Sequence, residues 1–500
     1  MLKQRRSGIL LHPTSLAGPQ HTGSLGQEAR DFIDFLVAGG QSVWQVLPLN
    51  PTGYGNCPYS CFSAFAGNPL LISLADLAQT DDLDVADLPL PAAMATHCDF
   101  AAAFTTQTPL LRKAWQIFYS QKQTSRYQRF SDFCQAQQHW LDDYSLFEAI
   151  RSRHDFRNWQ DWPEPLRCRD RDALEQSRSE LADEILWHKY LQFVFFEQWF
   201  ALRQYAQQRG VLIFGDLPIF VAENSADVWA HSQLFHLDEQ QRPTLVAGVP
   251  PDYFSATGQR WGNPLYRWDQ LKEQNYRWWL QRFDWNFSLF DLLRVDHFRG
   301  FVASWAIPAH DPTAVNGQWM DTPGRELFDL LVERYSHLPI IAEDLGVITA
   351  EVEQLRDDFS FPGMKILQFA FDSDAKNPYL PHHHRRNSVV YTGTHDNNTT
   401  LGWWSRLDDR VKSRVKEYLG SRATDMPWLL VETAMASVAR LSITPLQDIL
   451  SLDEGARMNT PGTATGNWSW RISENALDES LRRRLRATTH LYGRDLCIST

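Results

Sequence analysis

The sequence predicts a (β/α)8 barrel with large, mainly helical insertions between its strands. Three observations carry that prediction. Eight short runs rich in apolar and β-branched residues recur along the 500 residues, each ending in glycine or polar residues. Several are near-continuously apolar, as strands of a parallel sheet are when both faces are buried. Helical patterns separate most of them, and eight strands alternating with helices close into a barrel.

The runs, in order, are "SGILLHPTSL" (7–16), "SVWQVLPLN" (42–50), "VLIFGDLPIF" (211–220) and "LFDLLRVDHF" (289–298). Then come "LPIIAEDLG" (338–346), "MKILQFAF" (364–371), "SVVYTGTHD" (388–396) and "LSITPLQDIL" (441–450). Between the first two, "LGQEARDFIDFLVAGG" (25–40) spaces its apolar residues by three and four and stops at a glycine pair, a helix C-cap signal. "RELFDLLVERY" (325–335) repeats the spacing. Two intervals exceed a simple crossover. Residues at about 67–205 are mostly helical and aromatic-rich, and residues at about 221–288 are richer in Pro and Gly. Both are expected to be subdomains inserted into one catalytic barrel spanning 1–500. They lift a plain barrel of about 250 residues toward the observed length.

Composition narrows the function classes. Hydrophobic residues make up 43%, enough for a sizeable core. A net charge of −12 disfavours nucleic acid as a partner, because such affinity comes from basic patches. No uncharged apolar run of about 18 residues argues for a membrane helix. The start "MLKQRRSG" is charged and leads into no apolar leader, so a cytoplasmic protein is expected. Cys57, Cys61, Cys98, Cys134, Cys168 and Cys497 form no C-x-x-C pair, which points to reduced thiols and no zinc site. Twenty tryptophans suit sugar stacking, although most are expected in the core.

In a parallel barrel, function gathers where the strands end. Four runs place an acid there: Asp216 in "FGDLPIF", Asp296 in "RVDHFRG", Glu343 in "IAEDLG" and Asp396 in "TGTHDNNT". One such acid can simply cap a helix; four on one face point to chemistry. Side chains alternate along a strand, so Leu292, Arg294 and Asp296 share a face directed at the barrel mouth. Leu293 and Val295 face the helix layer. Arg294, two residues from Asp296, would keep it ionised and nucleophilic. Glu343 follows an apolar stretch, so burial would favour its protonated form. An ionised and a protonated carboxyl about 5–5.5 Å apart would cleave a glycosidic bond with retention of configuration.

These segments resemble the four signature segments of the α-amylase clan, and in particular the amylomaltases, or 4-α-glucanotransferases (disproportionating enzymes). "GILLHPTSL", "WQVLPLNPTGYGNCPYSCFSAFAGNPLLISL", "SADVWAHSQLFHLD", "AGVPPDYFSATGQRWGNPLY" and "ARMNTPGTATGNWSWR" are similar to that family as well. The resemblance runs from about residue 7 to about residue 472, and implies the short form without an extra N-terminal domain.

The resemblance implies a role for each matching position. Asp296 would be the nucleophile, Glu343 the acid/base, and Asp396 the residue that holds the 2- and 3-hydroxyls of the sugar in subsite −1. Arg294 would support the nucleophile, His395 and Asp216 would bind hydroxyls there, and Tyr59 would stack on the ring. Asn467 and Asn459 are further sugar contacts. Trp261 and Tyr253 would line the glucan path, and Tyr54 would join a secondary glucan surface. Cys57 stands where the family more often has Ser, and a thiol is the poorer donor. The implied partners are α-1,4-glucan donors and acceptors, such as maltooligosaccharides, amylose and glycogen. No metal or cofactor is implied, and the chain is expected to be a monomer or weak homo-oligomer.

Other polar groups read as structural. His297 and Arg299 would buttress the loop after their strand. His382, His383 and His384 precede a strand, at the end away from the chemistry. "DSDAKN" (372–377) lacks the Gly and terminal Glu of a calcium loop and reads as a solvated turn. Three functions stay open: glucan transfer, hydrolysis with the same carboxylates, or a non-catalytic glucan-binding scaffold. Transfer is favoured by the loop at 248–266, which would exclude water and hold an acceptor.

Overall fold

The computed structural model describes residues 4–88, 96–251, 255–420 and 425–495. Eight parallel strands form the barrel: β1 (Arg6–Leu10), β2 (Val43–Gln45), β3 (Leu212–Leu217), β6 (Leu292–Val295), β9 (Ile340–Ala342), β10 (Gly363–Ile366), β11 (Ser388–Tyr391) and β12 (Leu441–Pro445). Each lies within or at the start of one of the eight apolar runs. The strands are shorter than the runs because the polar ends leave the ladder and become the loops of the mouth. Neighbours in the barrel follow chain order, and β1 pairs with both β12 and β2, so the first and last strands lie side by side.

The seam between β9 and β10 is stitched differently. Ala342 N donates to Pro362 O at 2.9 Å. Beyond it, the Asp344 carboxylate accepts from Met364 N at 2.7 Å and from Arg356 Nη1 at 2.5 Å. The two acids of "AEDLG" therefore do different work: Asp344 closes the barrel wall, and Glu343 is left for the mouth.

A second sheet was not foreseen from the sequence. Strands β4 (Leu245–Val249), β5 (Gln259–Pro264), β7 (Ala303–Pro308) and β8 (Gln318–Asp321) pair antiparallel in the order β5-β4-β7-β8. β4 and β5 leave the barrel after β3, and β7 and β8 leave it after β6. Their pairing joins two separate excursions into one wall beside the mouth.

The helices at 25–40 and 325–335 are found at Gln27–Ala38 and Gly324–Arg334. The described part of 67–205 is helical, and its longest helix, Ala182–Gln208, buries Trp187, Tyr190, Phe193, Phe196 and Trp199. Most tryptophans are buried in the core as expected; Trp261 and Trp319 each keep 38% exposure. Beside the site, Gly215 admits no side chain, since a Cβ there would lie 2.2 Å from the Phe290 ring. That contact packs β3 tightly at the residue before Asp216.

Candidate active site

The register of β3 and β6 sets Asp216 level with Arg294. Past the strand ends, Asp296 N donates to Leu217 O at 2.9 Å and Glu343 N to Val295 O at 3.1 Å. The ladder bonds thus continue one residue into the mouth and fix the two acids at neighbouring strand ends.

Arg294 is the hub. Its Nη2 donates to Asp296 Oδ1 at 2.6 Å and its Nη1 to Asp216 Oδ2 at 2.5 Å. Burial opposes its charge, but Asp216 and Asp296 more than offset that, so the guanidinium stays cationic. The two acids differ in access. Asp296 keeps 27% of its side chain exposed, whereas Asp216 is fully covered. Asp216 Oδ2 also accepts from the Tyr59 hydroxyl at 2.7 Å, and its Oδ1 is buried without a partner. Burial raises the Asp216 carboxyl above the ordinary range. With no exposed surface, Asp216 reaches the mouth only through Tyr59 and Arg294.

Glu343 has no cation of its own. Its Oε2 accepts from His297 N at 2.7 Å and its Oε1 from Leu345 N at 3.1 Å. Burial dominates, with the charge of Asp296 adding to it, and the carboxyl is pushed up to about 8. Arg294 and the His297 N–H pull the other way without prevailing.

Asp396 lies across the mouth, its side chain 44% exposed. Asn459 Nδ2 donates to its Oδ1 at 2.6 Å, and His395 Nε2 lies 3.4 Å from its Oδ2. The Tyr59 ring stacks on His395 at 5.2 Å and 15°. The structure thus gathers Tyr59, Asp216, Arg294, Asp296, Glu343, His395, Asp396 and Asn459 into one continuous set.

The other expected contacts lie apart from that set. Trp261 stands at its rim, edge-on to His297 at 4.8 Å. Tyr54 is 80% exposed. Asn467 is engaged with its own loop: its Oδ1 accepts from Thr460 N at 2.9 Å and its Nδ2 donates to Thr463 O at 3.0 Å. Tyr253 falls outside the described residues. Burial pushes the half-buried Cys57 thiol up to about 11, so it remains a weak donor rather than a thiolate.

His297 adopts a left-handed backbone (φ 48°) that turns its N–H toward Glu343. Arg299 Nη1 donates to Val347 O at 2.8 Å in the loop after Glu343. Far from the mouth, His383 bonds Ala375 O and His384 bonds Ser437 Oγ. Among the described residues, no group of three or more His, Cys, Asp or Glu side chains could hold a metal ion.

Three residues at the site were missed in the sequence. His12 is buried at the end of the β1 run, and burial, with His395 nearby, lowers it to about 3. A polar residue closing an apolar run was the signal used for the acids, and it applied to His12 too. Arg457 Nη2 donates to Asp396 O at 2.6 Å. Trp468 packs 5.9 Å from the Tyr59 ring. No local pattern marks these two.

A profile of the 4-alpha-glucanotransferase family matches residues 11–477. The chain is similar to the 4-alpha-glucanotransferase of Thermus thermophilus, 49% identical over 491 residues covering 97% of this chain and 98% of the relative. It is equally similar to that of Synechocystis sp., 49% identical over 499 residues and 99% of each chain. Its fold resembles that of amylomaltase from Streptococcus agalactiae in complex with acarbose, with a TM-score of 0.95 and 38% identity over 99% of this chain and 100% of that one. With the family profile and both relatives spanning nearly its whole length, the chain belongs to the 4-α-glucanotransferase family.

Proposed function

We propose that this site performs retaining transfer of α-1,4-glucan segments by double displacement, with Asp296 as nucleophile and Glu343 as acid/base. One observation carries the assignment: Asp296 is ion-paired with a buried guanidinium, while Glu343 has no cation partner and burial raises its carboxyl toward the protonated form. The division supplies the two roles that glycoside cleavage needs.

An Asp296 oxygen attacks the anomeric carbon as the Glu343 proton passes to the glycosidic oxygen, releasing a chain with a free 4-hydroxyl. The donor remains as an ester on Asp296. The 4-hydroxyl of an incoming glucan or glucose then attacks that carbon, Glu343 takes its proton, and Asp296 is freed. Asp396 steadies the positive charge that develops on the sugar, and Tyr59 with His395 offers the ring a flat wall. The substrates are maltooligosaccharides, amylose or glycogen chains. The proposed setting is cytoplasmic; among the described residues no helix is long and apolar enough to cross a membrane. The chain acts there as a single catalytic unit, a monomer or weak homo-oligomer.

Incubation with maltotriose, with products resolved by size, tests the reading. Glucose together with chains longer than the substrate is expected. Short products alone would turn the assignment to hydrolysis, and an unchanged substrate would leave only binding. Asp296→Asn should lower turnover by several orders of magnitude while leaving the thermal transition in place. Near-normal turnover would overturn the nucleophile.

A further inference from the structure

Two acids of the mouth, Asp296 and Asp396, are held by different chemistry. Asp296 is held by a cation, Arg294. Asp396 is held by neutral groups: Asn459 Nδ2 donates to its Oδ1 at 2.6 Å, and His395, whose imidazole burial lowers below its ordinary range, lies 3.4 Å from its Oδ2. The amide is itself tied at both backbone ends. Asn459 N donates to His395 O at 3.1 Å, and Asn459 O accepts from Arg457 Nε at 2.7 Å. Arg457 reaches on with Nη2 to Asp396 O at 2.6 Å. Arg457 therefore bonds both backbones with its guanidinium and makes no hydrogen bond to the Asp396 carboxylate. Next to this, Trp468 N donates to Met458 O at 2.7 Å, which anchors the segment from its far side.

We propose that Asn459 is a positioning residue for the transfer step. Its amide fixes the Asp396 carboxylate without neutralising it, and Arg457 fixes Asn459. The distinction matters because the sugar gains positive charge in the transition state. A carboxylate paired with a cation would have spent its field on that partner, whereas one held by an amide keeps it for the sugar. Asn459, an expected sugar contact, directs its amide donor at Asp396. This inference rests on the role given to Asp396 above.

Three full-length variants test it: Asn459→Ala, Asn459→Asp and Asp396→Asn, with the double variant Asn459→Ala/Asp396→Asn. Asn459→Ala should lower kcat on maltotriose by about ten- to a hundredfold, the cost of losing fixed geometry, with KM within about twofold. Asn459→Asp is nearly isosteric, so it guards against a packing artefact, and it should be impaired at least as strongly. In the Asp396→Asn background, the Ala change should cost less than about twofold, because residues acting as one unit are not additive. Acarbose affinity by calorimetry should weaken in Asn459→Ala only while Asp396 is present. Near-normal kcat in Asn459→Asp, a loss confined to KM, or an equal loss in both backgrounds would each overturn the proposal. Should Asp396→Asn alone keep near-normal turnover, the role of Asp396 falls, which separates that failure from this one.

Discussion

Burial raises the Glu343 carboxyl at a cost to the fold that grows with pH, and Glu343→Gln should remove that pH dependence. The free carboxyl titrates near 4.5 and the folded one near 8. Below pH ~4.5 both states carry the proton and the group is neutral to stability. As pH rises from there, the unfolded chain loses its proton while the folded chain keeps it, so stability falls, by about 1.4 kcal/mol per pH unit. Over the whole interval the loss is about 5 kcal/mol at most. The carboxyl is partly exposed at the mouth, where solvent screens it, which reduces the expected value to about 1–3 kcal/mol. Glutamine cannot titrate, and although its NH2 faces one of the two backbone N–H groups the carboxyl accepts from, that cost is the same at every pH; the stability difference should therefore move in favour of the variant by that amount between pH ~4.5 and ~8. For a chain of this length about 1 kcal/mol corresponds to about 1 °C in Tm, so the gap should open by about 1–3 °C between pH 4.5 and 8.5. The assay is differential scanning calorimetry of both proteins side by side across that range, with maltotriose turnover lost in the variant. A gap that stays constant with pH would falsify the raised carboxyl, and with it the assignment of Glu343 as the acid.

Three further outcomes follow from the same geometry. The kcat/KM for transfer should fall as pH rises through about 8, where Glu343 loses the proton that the proposed mechanism has it donate; a rate flat to pH 9.5 would point to another acid. Arg294→Met leaves Asp216 buried without a cation, so urea unfolding at pH 8 should show a loss of about 3–5 kcal/mol, smaller at pH 5.5 where Asp216 can take up a proton. Tyr59→Phe removes the hydroxyl bonded to Asp216 but keeps the ring on His395, so stability should drop by about 1–2 kcal/mol with KM nearly unchanged.

The barrel was legible because its signals are local. A buried parallel strand is a short apolar run, and a working acid at its end interrupts that run where the ladder stops. Period-two alternation then placed Arg294 beside Asp296 on one face, and their 2.6 Å bond is that alternation realised. The second sheet had no such signal. β4 reads "LVAGV" and β5 "QRWGNP", short segments interrupted by glycine and proline that look like loop. β4 finds its outer partner in β7, on the far side of β6, and β5 pairs with β4 alone; pairing across a barrel strand leaves no mark on either segment.

The same boundary runs through the site. Which acids lie in the mouth could be read from the strand ends; how each is held could not. Asp216 resembles Asp296 in the sequence, each an acid at the end of an apolar run. Register sinks Asp216 behind Arg294 and leaves Asp296 partly open, which is why the proposed mechanism makes one a counter-charge and the other the nucleophile. Glu343 and Asp344 are adjacent, yet one faces the mouth and the other accepts from Met364 N in the barrel seam. Asn459 meets Asp396 across 63 residues of chain. Sequence thus supplied the reactive groups, while register and long-range contacts set their protonation and aim. A graft of the four acids onto another barrel, without Arg294 between Asp216 and Asp296 and without a neutral donor on Asp396, would place the same carboxylates in the wrong charge states.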